Sequence, residues 1–318
     1  MFYIDNLIRF KYNIFTVNSK EKETIMSDLN YVLFTDTDTD ITPEVAKKYG
    51  YNLISMPYTL NDKETFPYVD FDTFQAHEFY DALRKGAKPY TSALSPKDYV
   101  NYFEPFFKDG KDVLYVHFSA AMSGTFNALA IAEQDLKEKY PERTIYKLDT
   151  KGITILSYNI VREVGDMYLA GKSVEDILKW SETEVDKFAV YFFANDLSFF
   201  RRSGRVKMLA AVMGNLLGIR PIIYMDNGGT MTSIGKARGL NATLDKIMDY
   251  VKSLQDDIKN HRIIIGHADA PEIAETLKHR IIAELGDGLT IETVDVNPTA
   301  GSHCGPDTVG VCFHAIHR

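Results

Sequence analysis

From Tyr31 onward the chain alternates short apolar runs with longer stretches whose apolar residues recur at helical spacing. That is the pattern of strands joined by crossover helices in a parallel sheet. Tyr31 to Thr35 reads as a strand, Pro43 to Tyr49 as a helix, Leu53 to Tyr58 as a strand, and Asp72 to Lys85 as a helix opened by an aspartate cap. Ser95-Pro96 supplies an N-cap and a first-turn proline, and Tyr99, Tyr102, Phe103 and Phe106 form an apolar stripe behind it. Asp112 to His117 and Thr144 to Leu148 read as strands on either side of a helix from Ser123 to Lys139. Ile153, Leu156, Ile160, Val164 and Met167 mark one face of a further long helix.

The texture changes after Gly171. Phe188 to Ala194 reads as a strand, and Arg220 to Tyr224 and Met231 to Lys236 flank Asp226-Asn227-Gly228-Gly229, the turn of an antiparallel hairpin. A helix from Leu240 to Leu254, a strand from Ile263 to His267 and a helix around Ile273, Leu277 and Ile281 follow. Strands at Thr290 to Asp295 and Val309 to His314 complete this half. The expected fold class is α/β in two domains: a parallel-sheet domain over residues 30–185 and a mixed or antiparallel-sheet domain over 186–318. Residues 1–29 read as an N-terminal extension, in which Asp5, Arg9 and Lys11 interrupt any secretory apolar core.

A length of 318 residues with 45% hydrophobic composition is enough to bury a large core. The net charge of -8 argues against sequence-independent binding to nucleic acid or to an anionic membrane. The apolar run from Met208 to Ile219 falls well short of the ~20 residues needed to cross a bilayer. Only two cysteines occur, Cys304 and Cys312, which points to a reducing cytoplasm rather than a disulfide framework. Their spacing from His303, His314 and His317 lacks the paired pattern of a zinc site, so no metal is expected.

Candidate chemistry gathers where strands are expected to hand over to helices, at Thr91-Ser92 and at Ser123-Gly124-Thr125. Helix starts favour anions, because their first amides lack intrahelical partners. Two such starts, with Lys88 near one and no cation near the other in sequence, suit a single small anionic head such as a carboxylate. Ser123 lacks the flanking glycines of a hydrolase nucleophile elbow. Asp36-Thr37-Asp38-Thr39-Asp40 invites a calcium-loop reading that fails, since Ile41 and Lys47 stand at the glycine and glutamate positions. The same run resembles the nucleophile motif of magnesium-dependent haloacid-dehalogenase-type phosphatases, with Asp36 as the attacking carboxylate; the plainer reading is a set of capping acids. Arg201, Arg202, Arg205 and Lys207, and separately Lys236 and Arg238, form basic islands suited to a solvated face or to a phosphoryl group. His303 is expected in a glycine-rich turn between Gly301 and Gly305.

Taken in order, these segments resemble the DegV family of fatty-acid-binding proteins that serve bacterial fatty acid kinase. The matching residues are Phe34 to Asp40, Thr91-Ser92, Ser119 to Asn127, Arg202 to Arg205, Gly214 to Ile222, Lys236-Ala237-Arg238 and Ser302 to Pro306. The resemblance implies a two-domain carrier, not an enzyme alone, with one long-chain fatty acid in an apolar tunnel. Thr91, Ser92, Ser123, Gly124 and His303 would hold the carboxylate, and Arg205 and Arg238 would face the kinase partner. No cofactor is implied in the carrier itself, since ATP and magnesium would belong to the kinase that makes the acyl phosphate. A binding module for another apolar carboxylate, with no kinase, remains the other carrier reading.

Overall fold

The computed structural model describes residues 29–204 and 218–318. Residues 1–28 of the expected extension, together with Arg205, Lys207 and the apolar run from Met208 up to residue 217, lie outside the described residues.

In chain order the first half comprises β1 (Tyr31–Asp36), α1 (Pro43–Tyr49), β2 (Tyr51–Ile54), β3 (Tyr58–Leu60), β4 (Lys63–Thr65), α2 (Ala76–Arg84) and β5 (Tyr90–Thr91). It continues with α3 (Pro96–Lys108), β6 (Asp112–His117), α4 (Thr125–Lys139), β7 (Ile145–Asp149), α5 (Ile155–Leu169) and α6 (Val174–Glu184). The second half contains β8 (Phe188–Phe193), α7 (Ser198–Arg202), β9 (Ile219–Met225), β10 (Met231–Arg238) and α8 (Leu240–Leu254). It closes with β11 (Arg262–His267), α9 (Pro271–Leu285), β12 (Thr290–Asp295), α10 (Pro298–Cys304) and β13 (Val309–His314).

The fold is α/β, with a wholly parallel sheet in the first half and a mixed one in the second. The parallel sheet has the order β2-β1-β6-β7. β1 and β6 are therefore neighbours whose chain continuations run to opposite sides, the switch point at which open α/β sheets bind ligands beyond their carboxyl ends. The mixed sheet has the order β10-β9-β8-β13-β11-β12, and only β11 and β12 pair in parallel. The expected hairpin is present: Gly229 N–H donates to the Asp226 carbonyl, and the Asp226 carboxylate accepts from the Thr230 amide and the Thr230 and Thr232 hydroxyls.

Three local expectations are corrected. The strand expected over Leu53 to Tyr58 divides, because β2 stays in the parallel sheet while β3 joins a separate small sheet of order β4-β3-β5. Strands this short show too little alternation to be read from sequence. The helix expected from Asp72 starts at Ala76, after Gln75, with no side-chain cap. The helix expected from Ser123 starts at Thr125, because Ser123 is extended (φ -148°, ψ 141°) after a short 3-10 turn at Ala120–Met122.

Helix α5 lies between the two large sheets, packing on β8, β11 and β13 on one side and on α1 on the other. An ordinary surface helix buries one stripe, yet α5 buries nearly its whole circumference. Its charged residues enter the interior in company. Arg162 donates to Tyr49, to Tyr158 and to both oxygens of Glu292 on β12, while Arg262 on β11 bonds Glu163 and Asp166. A buried guanidinium without such partners would carry an uncompensated charge. Close approach of α1 depends on Gly165, where an added methyl group would run into the fully buried Tyr49 ring.

Gly165→Ala is therefore expected to destabilise the fold by roughly 1–3 kcal/mol, the usual cost of overpacking, since the Tyr49 ring has nowhere to retreat. Urea denaturation followed by circular dichroism measures the difference, and a change under about 0.5 kcal/mol would contradict this packing.

Candidate functional site

The turn that follows β1 organises the site. Asp36 to Asp40 is buried, and Thr37–Thr39 form a single 3-10 turn capped by the Asp36 side chain. Four segments hang from it. Asp36 Oδ2 accepts from the Phe118 amide and the Tyr115 hydroxyl, anchoring the loop after β6. Thr37 Oγ1 accepts from the Met56 amide, and the Asp38 carbonyl accepts from the Thr154 amide at the head of α5. Asp40 Oδ1 accepts from both the backbone and the side-chain amide of Asn297, at 2.9 and 2.7 Å.

These segments wall one cavity with about 990 Å3 of atom-free space, counting the part open to solvent. Most of the wall is apolar and comes from both halves: Phe118 and Met122 follow β6, Ile155 opens α5, Val190 is on β8, Phe200 on α7 and Met225 on β9. The polar lining includes Thr91, Ser92, Ser123, Thr125, His303 and the acidic Asp38. Thr91 Oγ1 and His303 Nε2 are 3.0 Å apart. Among the described residues no lysine or arginine lines the cavity.

Each polar group has its own support. Thr91 ends β5 and pairs with Tyr58 of β3, so the small sheet, not a helix start, delivers it. Ser123 Oγ accepts from the Thr125 amide at 3.2 Å. Thr125 Oγ1 in turn bonds the Tyr99 hydroxyl and accepts from the Leu94 amide. His303 rides on α10 rather than in a turn. Pro298 occupies the first helical turn, and the Asn297 side chain caps the helix by accepting from the Ala300 amide. Gly301 lets α10 pack against the Tyr80 hydroxyl, which donates to the Val296 carbonyl.

Of the sequence-nominated residues, Thr91, Ser92, Ser123 and His303 share the cavity. Gly124 adjoins it as the residue before α4, Arg238 is exposed at the end of β10, and Arg205 lies outside the described residues. Thr125, part of the nominated Ser123-Gly124-Thr125 run, also lines the cavity, whereas sequence reading missed Thr154, Thr299 and Thr308 among the lining hydroxyls. A single threonine carries no periodic signal, although Thr154, with φ 53°, occupies a backbone region unusual for a β-branched residue. Asp36 is buried with both carboxylate oxygens accepting hydrogen bonds, which is a structural placement rather than that of an exposed attacking nucleophile. Among the described residues no cluster of three or more histidine, cysteine or acidic groups is arranged to hold a metal ion. None of the described helices is long and apolar enough to cross a membrane.

An α/β pair of sheets enclosing an apolar cavity that ends in hydroxyls and one imidazole defines the class of protein. The chain belongs to the DegV family: the family model described as "Uncharacterised protein, DegV family" matches residues 30–315. A DegV domain-containing protein of Clostridium perfringens is 31% identical over 284 residues, 89% of this chain and 97% of that one. A Thermus thermophilus DegV family protein, whose structure is described by its fatty acid binding, superposes with a TM-score of 0.80 at 22% identity, covering 91% of this chain and 100% of that one. DegV of Bacillus subtilis, described as a fatty acid binding protein, gives a TM-score of 0.76 at 22% identity over 91% and 100% of the two chains. A Ruminococcus gnavus family member refined with vaccenic acid gives 0.78 at 22% identity, covering 90% and 100%.

Burial raises the carboxyls of Asp36 and Asp40 from the ordinary aspartate range to about 7, against the opposing effect of their amide donors. Such a group binds its proton more tightly in the folded state, so its contribution to stability is complete below about pH 4 and is lost as the pH rises towards 7. Asp40→Asn removes one of these titrations. Its stability relative to the unaltered protein is expected to climb by up to a few kcal/mol between about pH 4 and pH 7 and then level off. Thermal melts of both proteins across that range test this, and parallel curves would refute it.

Proposed function

We propose that this protein binds one long-chain fatty acid, with the acyl chain along the apolar wall and the carboxylate at Thr91, Ser92, Ser123, Gly124 and His303. The observation that carries the reading is the Thr91–His303 pair at the polar end of a cavity whose remaining wall is mostly apolar. Hydroxyl donors and one imidazole stabilise a carboxylate without locking it into a buried ion pair. Burial of the tail at about 0.8 kcal/mol per methylene supplies most of the affinity, and the head contacts set orientation. The fatty-acid-binding descriptions of the Thermus and Bacillus family members support the same ligand class.

The further step is presentation of the carboxylate to a separate cytoplasmic kinase subunit, which phosphorylates it to an acyl phosphate using its own ATP and magnesium. Arg205 and Arg238 face that partner, and the chain acts as a carrier with no cofactor of its own. The division at residues 185 and 186 separates a parallel-sheet domain from a mixed-sheet domain that together clasp the ligand. Support comes from the lack of a lysine or arginine among the described lining residues, so that no ion pair there would tie up a carboxylate oxygen needed for transfer.

Native mass spectrometry of the purified protein is expected to show one bound fatty acid. Ser123→Ala should weaken binding of a fluorescent fatty acid by roughly 10- to 150-fold, the range for loss of one hydrogen bond to a charged group. Unchanged affinity would remove Ser123 from the head-group site. Incubation with candidate kinase subunits, ATP and fatty acid should yield acyl phosphate, whereas binding without phosphorylation by any of them would favour a carrier for an apolar carboxylate alone.

A further inference from the structure

The cradle hydroxyls and the imidazole come from separate segments, so something must fix the helix that carries His303 relative to Thr91. We propose that Asp40 is a positioning residue for carboxylate recognition, acting through Asn297 on α10 without touching the ligand. The inference rests on the fatty-acid reading above and adds to it a residue outside the cavity wall.

The geometry forms a continuous relay. Asp40 Oδ1 receives both amide groups of Asn297, which fixes the orientation of that side chain. With its Nδ2 held, Asn297 presents Oδ1 to the Ala300 amide at 2.9 Å and so sets the first turn of α10. His303 lies three residues beyond Ala300, with its Nε2 3.0 Å from Thr91 Oγ1. Met56 braces the same helix, since its carbonyl accepts from the Thr299 hydroxyl and its amide donates to Thr37 of the Asp40 turn. Asp40 and Asn297 are 4% exposed, so water cannot take over the lost partner if the carboxylate is removed.

The backbone at Asp40 separates this role from simple turn-making. Its φ of 57° and ψ of 12° lie in the left-handed region, where asparagine and glycine are favoured and alanine is strained. Asp40→Asn keeps both the conformation and an acceptor oxygen. Asp40→Gly keeps the conformation but removes the acceptor, leaving the two Asn297 donors buried without it. Substitution by glycine therefore probes the relay without the strain that alanine would add.

The informative quantity is the ratio of affinities for a long-chain fatty acid and the fatty alcohol of the same length, because tail burial cancels from it. Competition against a fluorescent fatty acid should give a ratio that is retained in Asp40→Asn and falls about tenfold in Asp40→Gly, corresponding to roughly 1.4 kcal/mol. Melting curves run alongside identify the folded fraction of each variant. Equal loss of affinity for acid and alcohol in Asp40→Gly, or loss of the ratio in Asp40→Asn, would overturn the positioning role. Failure of the unaltered protein to prefer the acid would instead overturn the fatty-acid reading itself. Should Asp40→Gly not fold, Asn297→Ala supplies the second cut of the same relay and is expected to show the same selective fall; an unchanged ratio there would overturn the proposal.

Discussion

The buried turn from Asp36 to Asp40 is the constraint on which the rest of the molecule depends. Carboxylates placed in a protein interior are unfavourable unless hydrogen bonds replace their water, and here the replacements are amides from the loop after β6 and the segment before α10. The cost of burying the acids thus fixes the relative positions of segments far apart in sequence. Raised carboxyl pKa values are the thermodynamic trace of that arrangement.

Helix α5 supplies the second constraint. Sandwiched between sheets, it needs close approach on both sides, and small residues permit it: Gly165 meets Tyr49, and Gly266 of β11 leaves room for Ile155. The head of the same helix is tied to the Asp38 carbonyl through Thr154. One helix therefore both unites the halves of the fold and contributes part of the cavity wall, so the packing of the core and the shape of the cavity are set together. Ser119 adds a separate link, donating to the Gly229 carbonyl of the β9–β10 turn.

Electrostatically the site is restrained. Among the described residues no lysine or arginine lines the cavity, whose polar lining consists of hydroxyls, one histidine and the acidic Asp38. Such a lining discriminates by hydrogen-bond geometry more than by charge, which makes the placement of each donor important. A shift of α10 relative to β5 would change the Thr91–His303 separation directly, and the support beneath α10 is correspondingly dense.

The sequence by itself determined the α/β class, the span of α1, the cores of β6, β12 and β13, and the hairpin at Asp226 to Gly229, because strand and helix periodicities and turn residues are local signals. Thr91 and Ser123 were nominated as small hydroxyls where strands hand over to helices, and His303 through its glycine-rich surroundings and family likeness; all three line one cavity. Tertiary structure alone decided that Thr91 sits on a two-residue strand, that His303 sits on a helix capped by Asn297, and that the Asp36 to Asp40 run, already read as capping acids rather than a calcium loop, is a buried hub tying distant segments together. Those outcomes rest on hydrogen bonds such as Asp40 to Asn297, which span 257 residues of chain. No periodicity encodes a partner at that distance; only packing brings the two groups together, and burial then requires them to pair.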